Sequence, residues 1–261
     1  MTLKTVLLAS ALFGLATGAQ AQDQTIRIGV TPGPHAQIME KVAELAAAKG
    51  LTLEITEFSD YVVPNQALAD GDLDANSFQH QPYLDNQVAD RGYKLVSIAQ
   101  TVNFPMGIYS EGLTSLDALE DGASIAVPND PTNGGRALLL LEALGLIAID
   151  DEVGLKATPL DIQENAKNIE IVELDAAQLP RSLADVDAAA INTNYALEAG
   201  LDPQSDAIAR EEAQSPYVNV IAVRAEDENA DWAKALVETY HSPEVKAFVE
   251  ETFKGSVITA W

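Results

Sequence analysis

"TIRIGVTPGPHAQIMEKVAELAAAKGLTLEITEF", residues 25–58, decides the fold class. It opens on a short apolar run, TIRIGV, and turns through the loop TPGPHA. Ile38, Met39, Val42, Leu45 and Ala46 then recur at helical spacing, Gly50 is a good C-cap, and 51–58 alternates as a strand. Strand, crossover helix, strand is the repeating unit of an α/β sheet. Downstream the grammar continues. VVPNQALADG (62–71) reads as a short helix, LDANSF (73–78) as a strand, 82–91 as a helix and YKLVSIAQTV (93–102) as a strand.

The pattern then restarts. MGIYS (106–110) is a strand, SLDALE a short helix, SIAVP (124–128) a strand and 133–145 a strongly apolar helix. IEIVEL (169–174), the helix AAQLPRSLA, DAAAINTNYA (187–196) and YVNVIAVRA (217–225) follow. Two helices close the chain, about 230–240 and 244–253, the second opened by Ser242, Pro243 and Glu244 as N-cap, N1 and N2. No low-complexity linker or short-period repeat separates the halves. The reading is an α/β protein of two similar units whose strand ends face a cleft, with the chain crossing near 100–106 and 205–218.

Composition narrows the function. MTLKTVLLASALFGLATGAQA, residues 1–21, has one Lys, no acid, an apolar run from Val6 to Ala16 and an Ala-Gln-Ala ending, the pattern of a cleaved secretory signal peptide. Removing it leaves 240 of the 261 residues, enough for one large or two smaller domains. There is no cysteine, which excludes disulfides, thiol catalysis and cysteine-ligated metal. The absence of an N-terminal Cys also leads us to expect no lipid anchor. The net charge of −25 disfavours nucleic acid and anionic membrane surfaces as partners. With three histidines, and without a G-x-S-x-G, H-E-x-x-H, P-loop or G-x-G-x-x-G motif, neither an enzyme nor a metal site is expected, and no cofactor is called for.

Candidate binding residues gather at strand ends. In VPNDPTNGGRALLLLEALGL (127–146), Arg136 is read at the start of a helix, where a cation is disfavoured by about 0.3–1 kcal/mol. Either an anionic ligand lies over that turn or the arginine pairs with a surface carboxylate. NSFQHQPYL (76–84) places Phe78, His80 and Tyr83 where a strand turns into a helix, and Tyr61 reaches the same edge. Phe78 could simply be core while His80 and Tyr83 cover a helix end, or the set could form an aromatic box for an apolar or thioether side chain. AINTNYA (190–196) puts Asn192 and Asn194 beyond a strand end, and SPYVNVI (215–221) holds Asn219 inside an apolar strand. Arginine can clamp a carboxylate, and Asn amides can serve both that carboxylate and an ammonium. Together these are the parts of a free amino-acid site.

FSDYVVPNQALADGDLDANSFQHQPYL, IAVPNDPTNGGRALLLL, ELDAAQLPRSL, INTNYA and SPYVN resemble, in order, the motifs of the NlpA family of methionine-binding proteins of ABC importers. The resemblance covers about 26–261. It implies a two-lobed periplasmic-binding-protein fold of type II, each lobe a mixed sheet flanked by helices, with the ligand cleft between the lobes. The expected division is 1–21 signal peptide, 22–104 plus 213–261 lobe 1, and 105–212 lobe 2. Carried over by motif, Arg136 holds the ligand carboxylate, Asn192 and Asn219 its amino and carboxylate groups, and Asn133 belongs to the same NDPTN turn. Tyr61, Phe78, His80 and Tyr83 line the side-chain pocket. The resemblance implies a monomeric carrier of L-methionine that docks on a permease. D-methionine, another apolar amino acid and a methionine-containing dipeptide are the alternative ligands, and an α/β enzyme or an adhesin the rival roles. With no cysteine at the cleavage site, the protein is expected free in the periplasm and not lipidated.

Overall fold

A computed structural model of the chain describes residues 24–150 and 152–261, so the expected signal peptide lies outside the described residues. The chain begins with β1 (Gln24–Val30), α1 (Pro34–Ala47), β2 (Leu51–Glu57), α2 (Val63–Asp70), β3 (Ala75–His80), α3 (Gln81–Arg91) and β4 (Leu95–Asn103). It continues through β5 (Gly107–Tyr109), β6 (Ser124–Pro128), α4 (Pro131–Ala143), β7 (Ala148–Ile149), β8 (Ile162–Glu164) and β9 (Glu170–Leu174). Next come α5 (Leu179–Ser182), β10 (Ala188–Ile191), α6 (Thr193–Glu198) and β11 (Ala209–Arg210). It ends with β12 (Val218–Arg224), α7 (Asp231–Tyr240), α8 (Pro243–Phe253) and β13 (Ile258–Thr259).

Two mixed sheets form, one in each lobe. The first has the order β13-β4-β12-β3-β1-β2 and the second β11-β5-β10-β6-β9. In the first, β2, β1 and β3 are parallel and β12 runs antiparallel to β3 and β4. The second repeats this plan: β9, β6 and β10 are parallel, and β5 runs antiparallel to β10 and β11. In each sheet the antiparallel fourth strand is the one that has just arrived from the other lobe. The chain crosses twice, from β4 to β5 and from β11 to β12.

Each sheet buries its own core. Ile28, Val30, Ile38, Met39 and Val42 lie within the first-lobe core, and Ile125, Val127, Leu138 and Leu141 within the second. A third cluster combines Tyr61, Phe78 and Tyr83 of the first lobe with Tyr195, Ile191 and Leu179 of the second. The lobes therefore share an aromatic seam. Small elements escaped the sequence reading: β7, β8, β11 and β13 are two or three residues each, too short for a periodicity to register.

The apolar helix begins earlier than its periodicity suggests. Asp130 caps α4 through its carboxylate on the Asn133 N–H, and Pro131 occupies the first turn. Arg136 therefore stands beyond the first turn and clear of the unfavourable end of the dipole. Gly135 sits where α4 meets the 154–157 turn, and a Cβ there would lie 2.6 Å from the Leu155 carbonyl oxygen. We expect Gly135→Ala to destabilise the protein by roughly 1–3 kcal/mol through this overpacking. A lower urea midpoint at unchanged m-value would show it; a wild-type midpoint would mean that the 154–157 turn yields freely.

Candidate ligand-binding site

Tyr61, Phe78, His80, Tyr83, Asn133, Arg136, Asn192 and Asn219, the residues that the resemblance assigns to the site, converge on one narrow cavity between the lobes. Tyr61, Phe78, His80, Tyr83 and Asn219 approach from the first lobe, and Asn133, Arg136 and Asn192 from the second. Asn194, named beside Asn192 beyond the strand end, lines it too; His35, Gln79, Phe104 and Thr193 complete the lining and were not among the sequence candidates. Among the described residues, no group of three or more His, Asp or Glu is placed to hold a metal ion.

Local structure fixes each polar group. His80 is the N-cap of α3, and its Nδ1 accepts the Tyr83 N–H at 3.1 Å. The ring proton therefore sits on Nε2, which faces Asn133 Oδ1 at 3.2 Å across the cleft. Burial, reinforced by the nearby Arg136 cation, pushes the His80 pKa down to about 3, so the ring is neutral. Asn133 Nδ2 donates to both Asp130 oxygens, at 3.1 and 2.9 Å, which turns its Oδ1 toward His80 and toward Asn192 Nδ2 at 2.8 Å. Burial holds the Asp130 carboxyl above its ordinary range. Tyr61 Oη donates to Asn194 Oδ1 at 2.6 Å, a second bond between the lobes.

This network leaves specific groups over. Asn192 Oδ1 and Asn194 Nδ2 are buried without a partner. Arg136 spends Nε and Nη2 on Glu211 at 2.8 and 2.6 Å, and Nη2 also reaches the Phe104 carbonyl at 2.7 Å. Its Nη1 has no hydrogen bond to the described residues. Unpaired buried polar groups cost about 1–3 kcal/mol each, and with His35 Nδ1 three such atoms belong to the cavity lining, so they call for a complement. The complement of one free acceptor beside free donors is an ammonium beside a carboxylate.

Arg136 thus has a protein partner, and the alternative of a carboxylate pair is realised in an unforeseen way. Glu211 is no surface acid: the two side chains are 2% and 10% exposed. The Tyr217 ring packs 4.3 Å from the guanidinium carbon. No sequence signal marked Glu211, one of 40 acids and next to Glu212. His35, 3% exposed, reaches the cavity because Gly33, at φ +76°, turns the chain into α1; its ring lies 4.8 Å from Phe104.

The apolar end is aromatic. Tyr61, Phe78 and Tyr83 lie with ring centroids 6.0–6.1 Å apart, and Tyr61 lies 5.0 Å from Tyr195 of the other lobe. Such a box suits a linear apolar or thioether side chain.

Residues 26–261 match the NlpA lipoprotein family. The chain belongs to that family. It is 48% identical to the D-methionine-binding lipoprotein MetQ of Salmonella typhimurium, over 99% of this chain and 98% of that protein. It is 45% identical to outer membrane lipoprotein 3 of Mannheimia haemolytica, over 97% of each. A nutrient-binding protein of Burkholderia cenocepacia, solved with methionine bound, superposes with a TM-score of 0.89 at 54% identity, over 90% of this chain and all of that one. NlpA-family chains are substrate-binding proteins with this two-lobed fold.

These relatives correct one expectation. The sequence analysis anticipated no lipid anchor and a periplasmic protein that is not lipidated; the family and its members are lipoproteins, and this overturns it.

Neutral buried histidines make stability pH-dependent. Burial pushes His35 down to about 3 as well. Below the ordinary histidine pKa of 6.5 the unfolded chain binds protons that the folded one refuses, so stability falls as pH drops from about 6.5 toward 3. Between pH 6.5 and 5, above the carboxylate range, each histidine contributes a slope of up to about 1.4 kcal/mol per pH unit. Urea melts of wild type and His35→Asn over that window test this: the variant's curve should be flatter, and parallel curves would place His35 outside the effect.

Proposed function

We propose that the chain is the substrate-binding protein of an ABC importer, that its ligand is L-methionine, and that it binds without converting it. The observation that carries this reading is the pairing, in one cavity, of unmatched Asn192 Oδ1, Asn194 Nδ2 and Arg136 Nη1 with the aromatic box of Tyr61, Phe78 and Tyr83. The ammonium sits on Asn192, the carboxylate on Asn194 and Arg136, and the thioether against the rings. Asn219, register partner of His80, closes the wall beside them. Lobe boundaries at 104/105 and 212/213 accord with the two crossings. Bonds between the lobes, Tyr61 to Asn194 and His80 to Asn133, belong to a closed form that a ligand touching both lobes stabilises by differential affinity.

The name of the Salmonella relative favours a second reading, D-methionine, at the same site. Titration with both enantiomers separates the two: tighter binding of L-methionine is expected, and tighter binding of D-methionine overturns the stereochemical assignment. Mass spectrometry of the small molecules released on denaturing freshly purified protein tests the ligand itself. Near-stoichiometric methionine is expected, and another amino acid or a dipeptide would overturn the assignment. In calorimetry, Arg136→Ala should weaken methionine roughly a hundredfold, the loss of about 2.7 kcal/mol of charge-assisted bonding. An affinity within about threefold of wild type would remove Arg136 from the carboxylate, since so small a change is under 1 kcal/mol.

A further inference from the structure

Arg136 is the single cation among the residues lining the cavity, and left alone it would make that closed space attractive to any carboxylate. It is not left alone. Glu211 Oε1 accepts Nε and Oε2 accepts Nη2, a two-point pairing that cancels the charge. Glu211 cannot easily swing away, because Oε2 also accepts the Met106 N–H at 2.9 Å, and its own N–H donates to the Met106 carbonyl at 2.9 Å. These two residues lie on the two chain crossings, so the carboxylate is clamped by the hinge itself. The other ionisable groups facing the site do not restore positive charge: His35 and His80 are neutral, and Asp130 stands behind Asn133.

We infer that Glu211 sets the charge selectivity of the cavity, making it favour zwitterions over ligands of the same shape that carry a carboxylate alone. A zwitterion leaves the Arg136–Glu211 site neutral, whereas a simple carboxylate leaves one uncompensated negative charge in a space closed to water. Glu211 is a positioning and selectivity residue here, acting through Arg136 and through its field on the ligand ammonium. The inference rests on the amino-acid reading above but not on methionine in particular.

The test compares methionine with its α-hydroxy analogue, 2-hydroxy-4-(methylthio)butanoate, which has nearly the same size and lacks the positive charge. Calorimetry gives the ratio of the two dissociation constants for wild type, Glu211→Gln and Glu211→Asp. Wild type should favour methionine. In Glu211→Gln the preference should shrink by roughly tenfold or more, about 1.4 kcal/mol of coupling between the two charges. Glu211→Asp, which keeps the charge, should hold the ratio within about threefold of wild type even where both affinities fall. General loosening would weaken both ligands alike and leave the ratio unmoved. If Glu211→Gln does not fold, the smaller Glu211→Ser serves in its place. An unchanged ratio in the uncharged variant overturns the inference while leaving the proposed function intact. Should wild type prefer another amino acid, only the methionine assignment falls, and the same comparison proceeds with that amino acid and its α-hydroxy acid. If wild type binds no amino acid, both readings fall.

Discussion

A buried guanidinium has to be paired, and in this protein the pairing organises the centre of the molecule. Arg136 projects from α4 of the second lobe into the seam between lobes, where water cannot solvate it. Its partners are the Glu211 carboxylate on one chain crossing and the Phe104 carbonyl on the other. Glu211 also takes the Met106 N–H. One cation thereby ties a helix of one lobe to both segments that join the lobes. Removing either member would strand a buried charge, an effect of about 3–5 kcal/mol in comparable pairs.

The remaining polar groups follow from the same requirement. Asp130 caps α4 and orients Asn133; Asn133 receives His80 and Asn192; Tyr61 orients Asn194. The bonds to Asn192 and Asn194 fix one end of each amide and leave the other, Asn192 Oδ1 and Asn194 Nδ2, without a partner. A rigid, partly unsatisfied set of this kind is preorganised, so binding costs little rearrangement beyond closure of the lobes.

Much of this was legible in the residues. Helical spacing in α1 and alternation in β2 disclosed the α/β unit, and its recurrence disclosed two lobes. Phe78, His80 and Tyr83 were readable because a strand end turning into a helix is a short-range signal. Glu211 was not, because its significance arises from a contact with Arg136 across 75 residues of sequence, and its neighbour Glu212 looks the same. The start of α4 was misjudged because Pro131 and two glycines mask a helix that Asp130 caps. That the family and its named relatives are lipoproteins was not legible, because it is no part of any fold-determining pattern.

In the proposed function the free amide atoms and Arg136 Nη1 receive an α-amino-acid zwitterion with its side chain among the aromatic rings. A crystal structure of the protein with methionine tests this most directly. The ammonium is expected at about 3 Å from Asn192 Oδ1, the carboxylate on Asn194 Nδ2 and Arg136 Nη1, and the sulfur beside Tyr61, Phe78 and Tyr83. A ligand bound the other way round, with its side chain toward Arg136, or one whose carboxylate displaces Glu211 from the arginine, would contradict it.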